Sequence, residues 1–412
     1  MADAKSGTLL LVTPPVTRTV NGVYEVEADF ANNLRLYLTN FSHVTFAGPV
    51  FPDEQARGVI LRSVPLNKIP NADRLSFIPL PYAYREDRYL RHYLATKRLL
   101  VSEIAKAQYL IFSPHANFEW STLAARLAIK AKRKFDMESD HDHASAARFH
   151  LAMMSRGPKK LRKTFLARSF IRAAEDCFSK STLALLQGQE VFDAYKDIAP
   201  NPHKVLNVQV SDKDHVSLDR LMTKLDRSRT GSPLLIYYAG QAIERKGPFD
   251  WLEALKGVFR AGVKFQATWF GEGPLLPEMK RAAAELGIGE MVSFPGSVGR
   301  SEIMTALQAA DIFLFCHKIG ESPRCLGEAL ASGAPLVGYG TEYPRELVAT
   351  CGGGEFADMN DWEKLVEIIV ALDKDRALLR HLTEGAAASG RLLDRDRAMQ
   401  NRIDLIKTHL SP

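Results

Sequence analysis

Two glutamates, Glu321 and Glu328, flank six residues in the stretch Gly320-Glu321-Ser322-Pro323-Arg324-Cys325-Leu326-Gly327-Glu328-Ala329-Leu330-Ala331-Ser332-Gly333-Ala334-Pro335. On a helix they would stand about two turns apart. The apolar run Ile312–Phe315 just before them reads as a strand. A helix opening near Ser322 would aim the free N–H groups of its first turn, Ser322 to Leu326, and its positive dipole end at whatever lies above that strand. Carboxylates there could accept hydrogen bonds from sugar and ribose hydroxyls. Phosphate held by N–H groups and hydroxyls held by carboxylates are the chemistry of a nucleotide-sugar site.

A second phosphate-friendly loop is Gly240-Gln241-Ala242-Ile243-Glu244-Arg245-Lys246-Gly247. It follows the strand Leu234–Tyr238 and opens a helix, so its geometry suits a diphosphate. The plainer reading is a basic turn capping that helix. Two more turns follow strands: Gly271-Glu272-Gly273-Pro274 and Pro295-Gly296-Ser297-Val298. In the first half, Asp136-Met137-Glu138-Ser139-Asp140-His141-Asp142-His143 gathers two histidines and four carboxylates. Divalent-metal binding is one reading of this cluster and a solvated acidic turn another. Asn21-Gly22 is a turn dipeptide.

These groups need elements to position them. The first half opens with a strand, Leu9–Val12, and a loop, Thr13–Gly22. A helix follows with Phe30, Leu34, Tyr37, Leu38 and Phe41 on one face. Strand Val44–Ala47, a helical segment around Asp87–Ala107, strand Tyr109–Phe112, helix Glu119–Ala131 and strand Lys134–Glu138 complete the series. The second half repeats the pattern through Leu234–Tyr238, Phe265–Phe270, Val292–Phe294, Ile312–Phe315 and Leu336–Tyr339. Strands alternating with helices predict two doubly wound parallel sheets with a cleft at the carboxyl ends of their strands. The chain has 412 residues, which also favours two domains. The expected division is 1–218, 219–390 and a last helix, 391–412. In that helix Met399, Ile403, Ile406 and Leu410 need a surface to cover.

Composition narrows the classes. The chain is 46% hydrophobic and 25% charged, as in globular proteins. No run approaches a membrane span, and Leu9–Val12 is too short for a signal-peptide core. Four widely spaced cysteines without CxxC fit a reduced cytoplasm, with no disulfide framework or structural zinc. Residues 1–218 hold 30 Lys and Arg against 22 Asp and Glu, whereas 219–412 hold 24 against 26. The excess peaks in Met153–Arg172, with seven basic residues, no acidic one, and Leu161, Phe165, Leu166, Phe170 and Ile171 between them. Such a segment could lie on anionic lipid or be a solvated helix face. No recognition module for nucleic acid accompanies the charge. Thr13-Pro14-Pro15 after the first strand, where GxGxxG would stand, speaks against a dinucleotide dehydrogenase.

Taken together over 234–348, the motifs resemble the signature of retaining glycosyltransferases of family 4 (group 1), in the GT-B superfamily. Over 1–218 only the order of elements and a few motifs agree. The resemblance implies two Rossmann-like domains facing across a cleft, the first for the acceptor, the second for the donor, with the last helix crossing back. It implies hexosyl transfer from a nucleoside diphosphate sugar (UDP or GDP) to a glycan or lipid-linked acceptor hydroxyl, with retention and without a metal or other cofactor. Glu328 maps to the carboxylate on the ribose and Glu321 to the one facing the sugar. The family spacing is one residue longer than the spacing here. Lys246 maps to the cation on the pyrophosphate. Gln241 replaces the family's second cation, a charge Arg245 could supply. Gly240, Gly271, Gly273, Ser297 and Val298 map to loops around the nucleotide, with Val298 to Arg300 against the base through backbone contacts. Asn21 and Gly22 map to a Gly-Gly loop near acceptor and phosphate. Either His141 or His143 maps to a histidine near the transferred sugar. Asp140-His141-Asp142 also reads as the DxD of metal-dependent GT-A enzymes, a motif the GT-B donor site does not need. Family members that glycosylate lipid-linked acceptors at the inner membrane face make Met153–Arg172 a candidate peripheral contact. A nucleotide-sugar 2-epimerase or a non-catalytic GT-B subunit would share the architecture.

Overall fold

The computed structural model describes residues 7–52, 62–206 and 208–411. The chain forms two compact units, one of residues 1–206 and 396–412, the other of 207–395.

In the first unit, Leu9 to Val12 are all buried, as expected of a parallel strand covered on both faces. This strand, β1 (Thr8–Val12), lies in the interior of a seven-stranded sheet. Its parallel partners are β4 (His43–Pro49) and β7 (Tyr109–Phe112). Outside β4 lies β6 (Leu75–Leu80). Beyond β7 come β8 (Asp136–Ser139), β9 (Leu183–Gln187) and β10 (Pro202–Val205). The chain runs outward from β1 to β6 and then restarts at β7 on the other side. That reversal places a switch point between β1 and β7, where the strand ends leave a crevice.

The span Thr13–Gly22 is not a loop, as the sequence reading had it. Thr17–Val20 is strand β2, paired antiparallel with β3 (Val23–Glu27), which pairs in turn with β5 (Ser63–Pro65). Asn21 and Gly22 have φ of 48° and 77°. Two consecutive positive φ values make the two-residue hairpin turn for which Asn-Gly is the preferred pair. Both residues are exposed at its tip.

Helices cover the sheet: α1 (Ala28–Asn40), α2 (Glu86–Lys106), α3 (Trp120–Lys130), α4 (His143–Ala152) and α5 (Pro158–Ser179). The Glu119 carboxylate caps α3, accepting from Ser121 N at 2.5 Å and Thr122 N at 2.8 Å.

The second unit has a six-stranded parallel sheet in the order β13-β12-β11-β14-β15-β16. Its strands are β11 (Leu234–Ala239), β12 (Phe265–Phe270), β13 (Val292–Gly296), β14 (Ile312–Phe315), β15 (Leu336–Tyr339) and β16 (Gly354–Ala357). This is the dinucleotide-type winding, 3-2-1-4-5-6, with its switch point between β11 and β14.

The division falls at Leu206/Asn207, twelve positions before the expected 218/219. The expected boundary falls at the start of an amphipathic helix, α6 (Leu218–Arg229), capped by Ser217. Leu221 and Leu225 bury against Val216 and Ala387 of the same unit. Val216 N donates to Ala331 O at 2.7 Å, which ties this segment to the second sheet's helices. At the other end, the last helix (Arg395–Leu410) joins the first unit from Asp396 on. Its Met399, Ile403, Ile406 and Leu410 enter one core with Leu9, Tyr37 and Leu183. Among the described residues no helix is long and apolar enough to cross a membrane.

Candidate functional site

Four loops leave the carboxyl ends of β11, β12, β13 and β14, and backbone hydrogen bonds knit the first three together. Gly240 N donates to Phe270 O at 2.9 Å, Gly271 N to Gly296 O at 2.8 Å, and Ala242 N to Glu272 O at 2.9 Å. Gly271 must be glycine: its φ is +140°, and a Cβ would stand 2.1 Å from Gly240 O. Gly240, Gly273, Ser297 and Val298 lie on these same loops.

The β11 loop ends in a single 3-10 turn, Glu244–Lys246. Gly247 follows at φ +61° and starts helix α7 (Pro248–Arg260). A Cβ on Gly247 would lie 2.0 Å from Cys316 O, so glycine lets the β11 loop press against the β14 loop. Lys318 N donates to Arg245 O at 2.8 Å and closes the contact.

This approach brings the expected charges together. Arg245 Nη1 donates to Glu321 Oε2 at 2.9 Å, and Lys246 Nζ donates to Glu321 Oε1. Lys246 and Glu321 are both buried. Two cations thus share one carboxylate at the switch point, leaving a net positive charge beside the β14 loop. Gln241 is exposed and carries no charge.

The sequence reading missed two members of this cluster. His317 is buried, with Nδ1 3.4 Å from Glu321 Oε1 and Nε2 2.9 Å from Tyr238 Oη. Burial holds the imidazole well below its usual range, and Lys246 and Arg245 push the same way. Burial also raises the Tyr238 phenol, so it keeps its proton and donates to a neutral His317. Tyr238 sits on β11 and His317 just past β14. Their meeting depends on the pairing of those strands, which no local motif reports.

Helix α9 (Arg324–Ala331) begins two residues later than expected. Pro323 is its N-cap in extended backbone (φ −74°, ψ 133°), and a proline there keeps Ser322 out of the helical region. Glu321 therefore precedes the helix and only Glu328 lies on it. The first-turn N–H groups belong to Arg324, Cys325 and Leu326. Glu328 Oε1 accepts from Arg300 Nε at 3.2 Å. Arg300 starts helix α8 (Arg300–Ala309) and also donates to Asp214 Oδ1 at 2.7 Å and Gln209 O at 3.2 Å. The sequence reading gave Arg300 a backbone role only; its side chain orients Glu328.

His141 belongs to the first unit, on the loop after β8. Its Nδ1 lies 2.5 Å from Asp140 Oδ1, and its ring stands 5.7 Å from that of His115. His115, Asp140 and His141 offer ligand atoms within 4.8 Å of one another, the donor set of an N/O metal site. Asp142 is not part of a DxD pair: its carboxylate caps α4 through Ala144 N and Ser145 N, at 2.9 and 3.1 Å. His143 is buried against Phe170, and burial lowers it to about 4. Of the two histidines, His141 is the more accessible.

Residues 224–389 match the family model of the glycosyl transferases group 1. The alpha-monoglucosyldiacylglycerol synthase of Streptococcus pneumoniae is 24% identical over 67% of this chain. The chain spans 61% of that relative's length and less of the other curated relatives it matches. Among solved structures, Anabaena HepE in complex with UDP superposes with a TM-score of 0.68, at 15% identity, covering 97% of this chain and 99% of that one. WaaG, a glycosyltransferase involved in lipopolysaccharide biosynthesis, gives 0.66 at 14% identity, over 96% and 99%. The chain has the GT-B fold, and its residues 224–389 are similar to the glycosyl transferases group 1.

Proposed function

We propose that the chain transfers a hexosyl group from a nucleoside diphosphate sugar to an acceptor hydroxyl, with retained anomeric configuration, in glycolipid or polysaccharide assembly. The observation that carries this reading is the convergence of Arg245, Lys246 and Glu321 at the β11/β14 switch point of the family-matched unit. Lys246 and Arg245 neutralise charge as the diphosphate leaves, assisted by the N–H groups at the start of α9. Glu321 orients the sugar. Glu328, held by Arg300, takes the ribose hydroxyls. The leaving phosphate serves as the base toward the acceptor, so no protein base and no metal are required. His141, the more accessible of the two histidines, is the first unit's candidate group for the transferred sugar.

A thermal-shift panel of UDP, GDP, ADP and CMP, with and without magnesium, tests the donor site. One diphosphate is expected to stabilise the protein independently of metal, and Glu328→Ala to remove most of that shift. The UDP held by HepE makes UDP the first candidate. No stabilisation by any of the four would reject the donor site.

We also infer peripheral contact with an anionic bilayer through the start of α5. Leu161 and Phe165 are 74% and 72% exposed there, and Leu90 on α2 is 65% exposed. Apolar tips among lysines and arginines are the composition of an interfacial helix. The intact protein is expected to co-sediment with anionic vesicles, and Leu161→Asp with Phe165→Asp to release it. Equal recovery of wild type and variant in the supernatant would reject the contact.

A further inference from the structure

A groove of about 1140 Å³ opens in the first unit among α2, α4 and α5. We propose that it binds the acceptor, and that the acceptor is a lipid carrying an anionic phosphate. The inference rests on the glycosyl-transfer reading above and names the class of its acceptor.

The floor is apolar, made by Leu90, Phe118, Leu151, Met154 and Leu166. Exposed apolar side chains on one continuous surface are unusual without a ligand or partner. The volume is that of a small-molecule site. The rim is charged. Arg85 pairs with Asp87 at 3.1 Å, and Arg162 with Glu86 at 3.4 Å, so these four charges cancel. Lys159 and Lys163 remain, one helical turn apart on α5, and make no ion pair among the described residues. An apolar channel with two uncompensated ammonium groups matches a hydrocarbon chain that ends in phosphate.

The groove reaches the edge of the sheet. Asn117 and Phe118 line it, and both belong to the loop after β7, at the carboxyl edge of the sheet beside the β1/β7 switch point. His115 lies on the same loop. The groove thus joins the reactive edge of this unit to the exposed face of α2 and α5, where Leu94 and Leu161 stand in solvent. A lipid lying in it would set its phosphate against Lys159 and Lys163 and its chain along the apolar floor.

Calorimetric titration of the intact protein with dodecyl phosphate, below its micelle concentration, tests this. Dodecyl maltoside and inorganic phosphate serve as the uncharged-chain and chain-free probes. Dodecyl phosphate is expected to bind at least about tenfold more tightly than either. Lys159→Glu with Lys163→Glu should lose about tenfold through the two charge-assisted contacts. Ala167→Trp, which fills the groove, should abolish binding while the nucleotide-induced thermal shift stays. Equal affinity for dodecyl phosphate and inorganic phosphate would overturn the proposal, since the site would then be an anion patch. So would full affinity in Ala167→Trp, or no loss in the lysine variant. A nucleotide shift without any dodecyl phosphate binding sinks the groove alone; loss of the nucleotide shift in the wild type sinks the donor reading itself.

Discussion

Lys246→Met is expected to lower kcat about 100- to 1000-fold while leaving KM for the donor within a small factor. Lys246 is buried, and its Nζ meets Glu321 beside the Arg245 guanidinium. Charge on the diphosphate grows as the glycosidic bond breaks. A fixed cation in a dry site therefore gains more with the transition state than with the bound donor. Methionine keeps the apolar stem and the volume, which confines the change to the charge. Glu321 retains Arg245 at 2.9 Å, so the variant does not strand a buried carboxylate, and folding should survive. Initial rates over a donor range, with a melting curve as control, decide the matter. A kcat within about threefold of wild type, in a folded variant, would remove Lys246 from the reaction.

Much of this site was legible in the sequence because its parts are local. Glycines that must pass close to other backbone, a lysine before one of them, and an apolar run before a Ser-Pro helix start are short-range signals. Parallel strands such as Tyr109–Phe112, Ile312–Phe315 and Leu336–Tyr339 read cleanly because burial on both faces makes them uninterrupted apolar runs. Two edge strands did not. Strand β16 (Gly354–Ala357) has one apolar aromatic, and β6 carries Pro79, so neither has the composition of a central strand. The β2–β3 hairpin was hidden behind Thr13-Pro14-Pro15, which reads as loop. What failed at the site itself were pairings between distant segments. Tyr238 and His317 are 79 residues apart, and Arg300 reaches Glu328 across 28. The helix start moved from Ser322 to Arg324 because Pro323 dominates its neighbour's backbone more strongly than the helix pattern suggested.

Glu321→Gln is expected to tighten binding of the nucleoside diphosphate about tenfold while slowing transfer about 100-fold. The two effects have one origin. Glu321 is the counter-ion of both Arg245 and Lys246, so an incoming diphosphate must share those cations with a carboxylate of its own sign. At about 6 Å and an effective dielectric near 20, that repulsion is about 3 kcal/mol before screening, ample for a tenfold change. Glutamine removes the repulsion and still offers an oxygen to one cation. It cannot replace the carboxylate's hydrogen bonds to sugar hydroxyls, and a misplaced sugar costs about 100-fold in rate. Uridine, or the nucleoside of whichever base binds, isolates the cause: it lacks phosphate and should bind wild type and variant equally. His317 does not confuse the result. Burial and the two cations hold it neutral well below its usual range, so the affinity gain should be flat across the pH interval in which a free histidine titrates. Weaker diphosphate binding in Glu321→Gln would mean that the carboxylate holds the cations in place for the phosphate and does not compete for them. In that case Arg245 and Lys246 would owe their position to Glu321, and the variant should also lose the rigidity of the β11 loop, read as faster amide exchange at Glu244–Gly247.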